Sequence, residues 1–362
     1  MSPKDADAAK AAWSKDLALR ARTAPPQRHG EAYPAENESS KNIARKNFLA
    51  LVFCLMVGTA ALPHILTRYY TTSSVKEARQ SVVWSLFFIT LLYITAPALA
   101  VLVKFDTYTI LVGSEFAKLP AWVNSWARVD PTLLSIADIN RDGIVQLAEI
   151  SIGSDIVVLA TPEIAGLPYV ISGLVAACGL AAALSTADGL LLTIANALSH
   201  DVYYKMFNPS ASTTVRISVS KALLLCVAVL AAYVAERKSA DILFLVSAAF
   251  SLAAAGLFPA LMLGIFWKRA TTTAAIVGMF SGVAITFYYM ATNYPWLRGV
   301  FGITGSISSY AWWDISPISA GVFGVPLGFA VIIVVSFFTR PPSDAERALV
   351  DFVRVPKLPE QR

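Results

Sequence analysis

Charge is what this sequence has least of. Of its 362 residues only 15% are Asp, Glu, Lys or Arg, while 56% are hydrophobic; an ordinary soluble domain carries about a quarter charged residues. That shortage excludes a typical water-soluble fold. Cysteine is equally thin: Cys54, Cys178 and Cys226 stand at no metal-ligand spacing, so neither a zinc site nor a disulfide framework is expected. Each reads as a small core residue within a span. His64 and His200 lack a carboxylate or thiol at ligand spacing on the same span and are expected at a membrane interface. No Ser-His-Asp order, phosphate loop or zinc motif occurs, so no enzyme is expected.

What is present is apolar sequence in long runs. A spanning helix needs about 20 mostly apolar residues, and such runs lie near 47–66, 81–103, 167–197, 217–235, 242–266, 272–292 and 318–338. They predict an all-α integral membrane protein of about seven transmembrane helices in a lipid bilayer. Residues 1–46, polar and interrupted by "APPQRHG", are expected as a solvated, largely disordered segment, and 341–362 as a tail. The leading segment holds nine Lys or Arg, but six Asp or Glu are interspersed and no binding motif accompanies them. No nucleic-acid partner is expected.

Charge in the connections predicts orientation. Arg68, Lys76 and Arg79, then Lys205 and Arg216, then Lys268 and Arg269, then Arg340 make one set of connections basic, the mark of the cytoplasmic side. The connection 104–162 carries Asp106, Glu115, Asp130, Asp138, Asp142, Glu149 and Asp155 against four basic residues, Lys104, Lys118, Arg128 and Arg141, and is expected outside. With seven spans the N-terminus is then outside and the tail cytoplasmic. The charge of residues 1–46 conflicts mildly with this, although long hydrophilic segments obey the charge bias weakly.

Two spans are not uniformly apolar. In "FLALVFCLMVGTAALPHILTRYY" Pro63 removes a backbone donor and disfavours helical geometry at Leu62, which frees carbonyls near Gly58 and Thr59. Discontinuous helices of this kind present backbone dipoles to a transported solute; the alternative is a simple Pro kink. In "AAALSTADGLLLTIANALSHD" the carboxylate of Asp188 lies within an apolar run, a functional candidate by default. Ser185 and Thr186, with the carbonyl of Ala182 one turn earlier, offer a hard cation three oxygens on one side. The alternative is that these hydroxyls bond back to their own helix or allow close helix packing.

A third motif lies in the external connection. "DINRDGIVQLAE" places Asp138, Asn140 and Asp142 at positions one, three and five of a calcium loop, with Gly143 at the turn. The Ile144 carbonyl falls at seven, Gln146 at nine and Glu149 at twelve. The pattern predicts a structural Ca2+ clip rather than a switch, the alternative being an Asx turn that caps a helix.

The segments "GTAALPHILTRYYTTSSVKEARQSVVWS", "LATPEIAGLPYVISGLVAACGLAAALSTADGLLLTIANALSHDVYYKM" and "SLAAAGLFPALMLGIFWKR" together closely resemble the sodium/solute symporter family, in an acetate-permease-like bacterial branch. The resemblance runs from about residue 45 to 340. It implies the second half of a LeuT-type inverted-repeat fold, in a bacterial inner membrane, with 47–66 as the broken first helix of the second repeat. It further implies Na+ as coupling ion, held in part by Ala182, Ser185 and Thr186. A small monocarboxylate such as acetate is the implied solute, with Gly58, Thr59, Pro63 and Asp188 in substrate binding or gating. The first repeat is missing from the resemblance, so the site is expected to be incomplete without it, and a separate chain supplying it is one expected partner. A symporter-like sensor module and a nonfunctional truncated fragment are the competing readings, although the tail is too short for a kinase or receiver domain.

Overall fold

Asn37 begins the first membrane helix by accepting the Ser40 N–H at 2.8 Å, a side-chain N-cap. The computed structural model describes residues 33, 37–131, 133–153, 156–236, 242–307 and 310–354. Helix α1 runs Glu38–Ala61, so the chain is already helical ahead of the expected boundary at 47; the earlier part of the expected leading segment lies outside the described residues, apart from Tyr33 and Asn37. At Leu62 the backbone turns extended, with φ −66° and ψ 119°, as the ring of Pro63 requires of its predecessor. A short helix α2, Pro63–Leu66, and a 3-10 turn, Thr67–Thr71, follow. The break expected in the first span is present.

Ser74, whose hydroxyl accepts the Glu77 N–H at 3.2 Å, caps α3, Val75–Leu111. Its 37 residues extend about 55 Å at 1.5 Å each, well beyond the expected run of 81–103. After α3 come α4 (Ala121–Val129), strands β1 (Leu134–Ile136) and β2 (Ile150–Ile152), and α5 (Val157–Ile164). The strands are antiparallel, Leu134 opposite Ile152 and Ile136 opposite Ile150. The expected loop 104–162 is therefore a small folded region with its own core, in which Leu111, Val123, Leu134, Val145 and Ile156 are buried together. Burial of each such side chain contributes about 1.5–3 kcal/mol. Trp126 Nε1 donates to Glu163 Oε2 at 2.9 Å across it.

Helix α6, Tyr169–Asn196, continues in π-helical form through Ala197–Phe207. The Arg216 guanidinium of α7 (Thr213–Glu236) lies 3.8 Å over the Tyr204 ring of that π segment, a cation–π contact. Then come α8 (Ile242–Phe266), α9 (Thr272–Asn293), α10 (Pro295–Phe301), α11 (Gly321–Phe338) and α12 (Asp344–Arg354). The expected tail is thus helical over α12.

Among the described residues, Ser73–Asp188 form one compact unit; those up to Thr72 and from Gly189 onward form the other. In the second unit α1, α8, α9 and α11 pack against one another. Small residues permit it: a Cβ on Gly58 would lie 2.6 Å from the Phe250 carbonyl oxygen, and one on Gly321 3.0 Å from that of Ser251. Helices in a membrane associate by such close packing, because lipid tails are as apolar as Leu. Cys54 is buried here with its Sγ 3.4 Å from the Ser319 carbonyl oxygen. Cys178 and Cys226 are exposed, not core residues, because α6 and α7 turn apolar side chains such as Leu180 and Leu225 outward. Among the described residues seven helical segments are long and apolar enough to cross a membrane, matching the seven expected runs.

The α9–α11 connection is held by Tyr289, fully buried, whose hydroxyl donates to the Ile315 carbonyl at 2.6 Å and accepts the Trp312 N–H at 3.2 Å. Tyr289→Phe strands both backbone groups, and leaving a buried group unsatisfied costs about 1–3 kcal/mol. A lower thermal midpoint for the purified protein in detergent is the expected result. An unchanged midpoint would show that the connection is held elsewhere.

Candidate functional site

Residues three and four apart lie on one face of a helix, and α6 is regular through Ala182, Ser185 and Thr186. Thr186 Oγ1 donates to the Ala182 carbonyl at 3.1 Å, so two of the three expected oxygens are in contact and Ser185 stands beside them. This is the back-bonded arrangement that hydroxyls adopt in membrane helices. The bond uses the hydroxyl hydrogen and one carbonyl lone pair, which leaves further lone pairs for a cation. All three residues are exposed.

Asp188 shares less of that face. It follows Ser185 by three residues but stands about 160° around the helix from Thr186 at 100° per residue, and it too is exposed. Two turns on from Thr186, Thr193 repeats the pattern with its hydroxyl on the Gly189 carbonyl at 2.8 Å.

In the other unit, the break at Leu62 brings Gly58, Thr59 and Pro63 to the end of α1. Gly58 is buried against Phe250 of α8, so its lack of a side chain serves packing. Thr59 Oγ1 donates to the Leu55 carbonyl at 2.7 Å, and Pro63 has no N–H to offer the Thr59 carbonyl. A further residue, read in the sequence only as a connecting charge, follows the break. Arg68, in the 3-10 turn after the break, brings Nη2 to 3.3 Å from where a Cβ on Gly189 would lie. Among the connecting segments it read only as a cytoplasmic charge; its nearness to the break was the available signal.

The 138–149 segment folds as the motif spacing requires in part. Asp138 Oδ2 accepts the Gly143 N–H at 3.0 Å, Asn140 Oδ1 that of Asp142 at 3.2 Å, and Asp142 Oδ1 that of Ile144 at 2.8 Å. Gly143 adopts φ +73°, open to glycine at little cost. Glu149, only 3% exposed, turns back as a cap: its oxygens accept Ile139 N–H at 2.8 Å and Gln146 N–H at 2.9 Å. Burial pushes its carboxyl above the usual carboxylate range, the N–H groups of Gln146, Ile139 and Asn140 oppose that, and the Asp138 charge adds to it. Among the described residues no three His, Cys, Asp or Glu side chains converge as a metal-binding group. Instead the side chains of the expected ligands bond one another, Asn140 Nδ2 donating to Asp142 Oδ2 and to Gln146 Oε1, each at 2.9 Å.

Among the described residues seven apolar helical segments, one broken at a proline and one carrying back-bonded hydroxyls, define a multi-pass membrane protein. The sequence model described as the sodium:solute symporter family matches residues 13–114 and 151–282, and the chain belongs to that family. The chain is 54% identical over 353 residues to an uncharacterised symporter of Cupriavidus necator, in an alignment covering 97% of this chain and 51% of the relative. It spans about half the length of the curated relative it matches. No solved structure matches.

Proposed function

We propose that the chain forms the second-repeat side of a sodium-coupled symporter for a small monocarboxylate such as acetate. The observation that carries this reading is the Ala182–Thr186 contact on α6, with Ser185 beside it, within a chain of this family. Sodium is a hard cation that takes several oxygen ligands, and α6 offers a carbonyl and two hydroxyls; a first repeat, on this polypeptide or another, supplies the rest. The monocarboxylate rests on the branch resemblance and on Arg68, because a guanidinium pairs with a carboxylate through two parallel hydrogen bonds. In this reading Gly58, Thr59 and Pro63, at the break that ends α1, take part in substrate binding or gating. Sodium entering down its gradient favours an outward-open state that binds the solute, and rocking of the helices releases both inside. The setting is a bacterial inner membrane, with the N-terminal side outside and the tail in the cytoplasm.

Acetate uptake into vesicles, driven by an imposed sodium gradient, tests the reading. The chain together with the first repeat is expected to show it, and Asp188→Asn to alter its ion dependence. Sodium-driven acetate uptake by residues 1–362 alone would overturn the need for a first repeat. Unchanged uptake by Asp188→Asn at every sodium concentration and pH would remove Asp188 from the mechanism.

A further inference from the structure

Among the described residues of the first unit, two buried side-chain polar atoms have no hydrogen-bond partner, Ser172 Oγ and Asp138 Oδ1, and only the second belongs to a carboxylate. Asp138 Oδ1 is shielded from solvent and has no hydrogen-bond partner, while its other oxygen is fixed by the Gly143 N–H at 3.0 Å. A buried carboxylate oxygen without a partner is costly, and a cation is the ligand that relieves it. Glu149 is buried close by, with Asp138's charge acting on it. Among the described residues neither Asp138, Asp142 nor Glu149 has an ion-pair partner. Three carboxylates within twelve residues therefore have backbone donors but no cationic partner.

We propose that the 138–149 loop binds one Ca2+ ion, through Asp138, Asn140, Asp142, the Ile144 carbonyl, Gln146 and Glu149, and that the ion staples the β1–β2 hairpin to the end of α3. Oxygen is the only donor type these groups present to the ion. Six residues, with Glu149 able to offer both its oxygens, suit calcium, which takes six to eight oxygens, better than magnesium, which demands a near-ideal octahedron and keeps several waters. Binding replaces the Asn140–Asp142–Gln146 side-chain bonds with bonds to the ion and draws Glu149 off its backbone cap.

The staple follows from how the loop is tied. Gly113 N–H donates to the Val145 carbonyl at 2.8 Å, Val145 N–H to Ser114 at 2.8 Å, and Phe116 N–H to Gly143 at 3.0 Å. These bonds zip the second half of the loop to the residues that leave α3. The hairpin flanking the loop also walls a cavity of about 310 Å³, with Leu134, Ile150 and Ile152 facing Val103, Thr107 and Tyr108 of α3. The family match omits residues 115–150, so this staple serves a segment that the family's general pattern does not contain. External calcium, at which an affinity of about 0.1–1 mM suffices, rests on the orientation proposed above; the ligand set does not.

Limited trypsin cleavage of the purified full chain in detergent, read by mass spectrometry at the exposed Arg141, tests the site. Calcium at ten times its Kd is expected to slow cleavage after Arg141 about tenfold relative to a chelator, by mass action, and magnesium is expected not to. Glu149→Gln and Asp138→Asn should lose the protection. Asn140→Asp should reach half-protection at lower calcium, which keeps the test decisive if the first two variants fold poorly. Equal cleavage of the unaltered chain in calcium and chelator would overturn the site. Protection without sodium-driven uptake in the complete transporter would instead count against the transport reading alone.

Discussion

Ser185→Ala with Thr186→Ala is expected to raise the sodium concentration for half-maximal uptake by more than about 100-fold in the complete transporter, at unchanged membrane abundance. The double variant removes two oxygens, and an interaction with a charged group contributes about 1.5–3 kcal/mol, or roughly tenfold or more for each. Packing offers no competing explanation, because both residues are exposed on α6 in the unit described. Thr186→Ser keeps the hydroxyl and should retain most of the sodium response, whereas Thr186→Val keeps the shape and should not. A double variant with unaltered sodium dependence would sink the cation reading and leave the Thr186–Ala182 bond as ordinary helix back-bonding.

The second large effect concerns the bundle. Gly324→Ala is expected to destabilise the protein by about 3 kcal/mol, the upper end for overpacking. A Cβ there would collide with Thr286 Oγ1 and lie 2.5 Å from Ala255 Cβ and 2.7 Å from the Gly282 carbonyl oxygen. Three helices meet at that point, and two of the obstacles are backbone or a Cβ, which cannot swing away. Gly264→Ala is the control: it lies in α8, and a Cβ there would meet nothing within 4 Å. Replacing glycine by alanine within a helix should then be neutral or stabilising by up to about 1 kcal/mol. Thermal midpoints in detergent separate the two, and a Gly324→Ala protein as stable as the unaltered one would show that the helices can part there without cost.

Legibility in the sequence differed by element. Hydropathy marked all seven spans, and for α8 the expected 242–266 coincides with the helix, Ile242–Phe266. For α3 it marked only the apolar middle of the helix. Lys76, Glu77, Lys104 and Asp106 lie outside the run, yet they remain helical because Ser74 caps the start and the backbone bonds continue to Leu111. Hydropathy reports what a helix passes through, whereas caps decide where it ends. The strands β1 and β2 were illegible, since three-residue segments carry too little alternation and owe their pairing to the fold around Leu134 and Val145. The π segment Ala197–Phe207 carried no visible signal either.

For the candidate site, spacing alone placed Ala182, Ser185 and Thr186 on one face, because helix geometry is local. Likewise, Pro63 alone determined the break at Leu62, since the restriction on its predecessor is steric and needs no neighbour. The burial of Gly58 against Phe250, the arrival of Arg68 at Gly189 and the turn of Glu149 into its own loop were decided by tertiary structure. Each depends on which backbone comes within a few ångströms of a distant residue, and residue type carries no record of that distance.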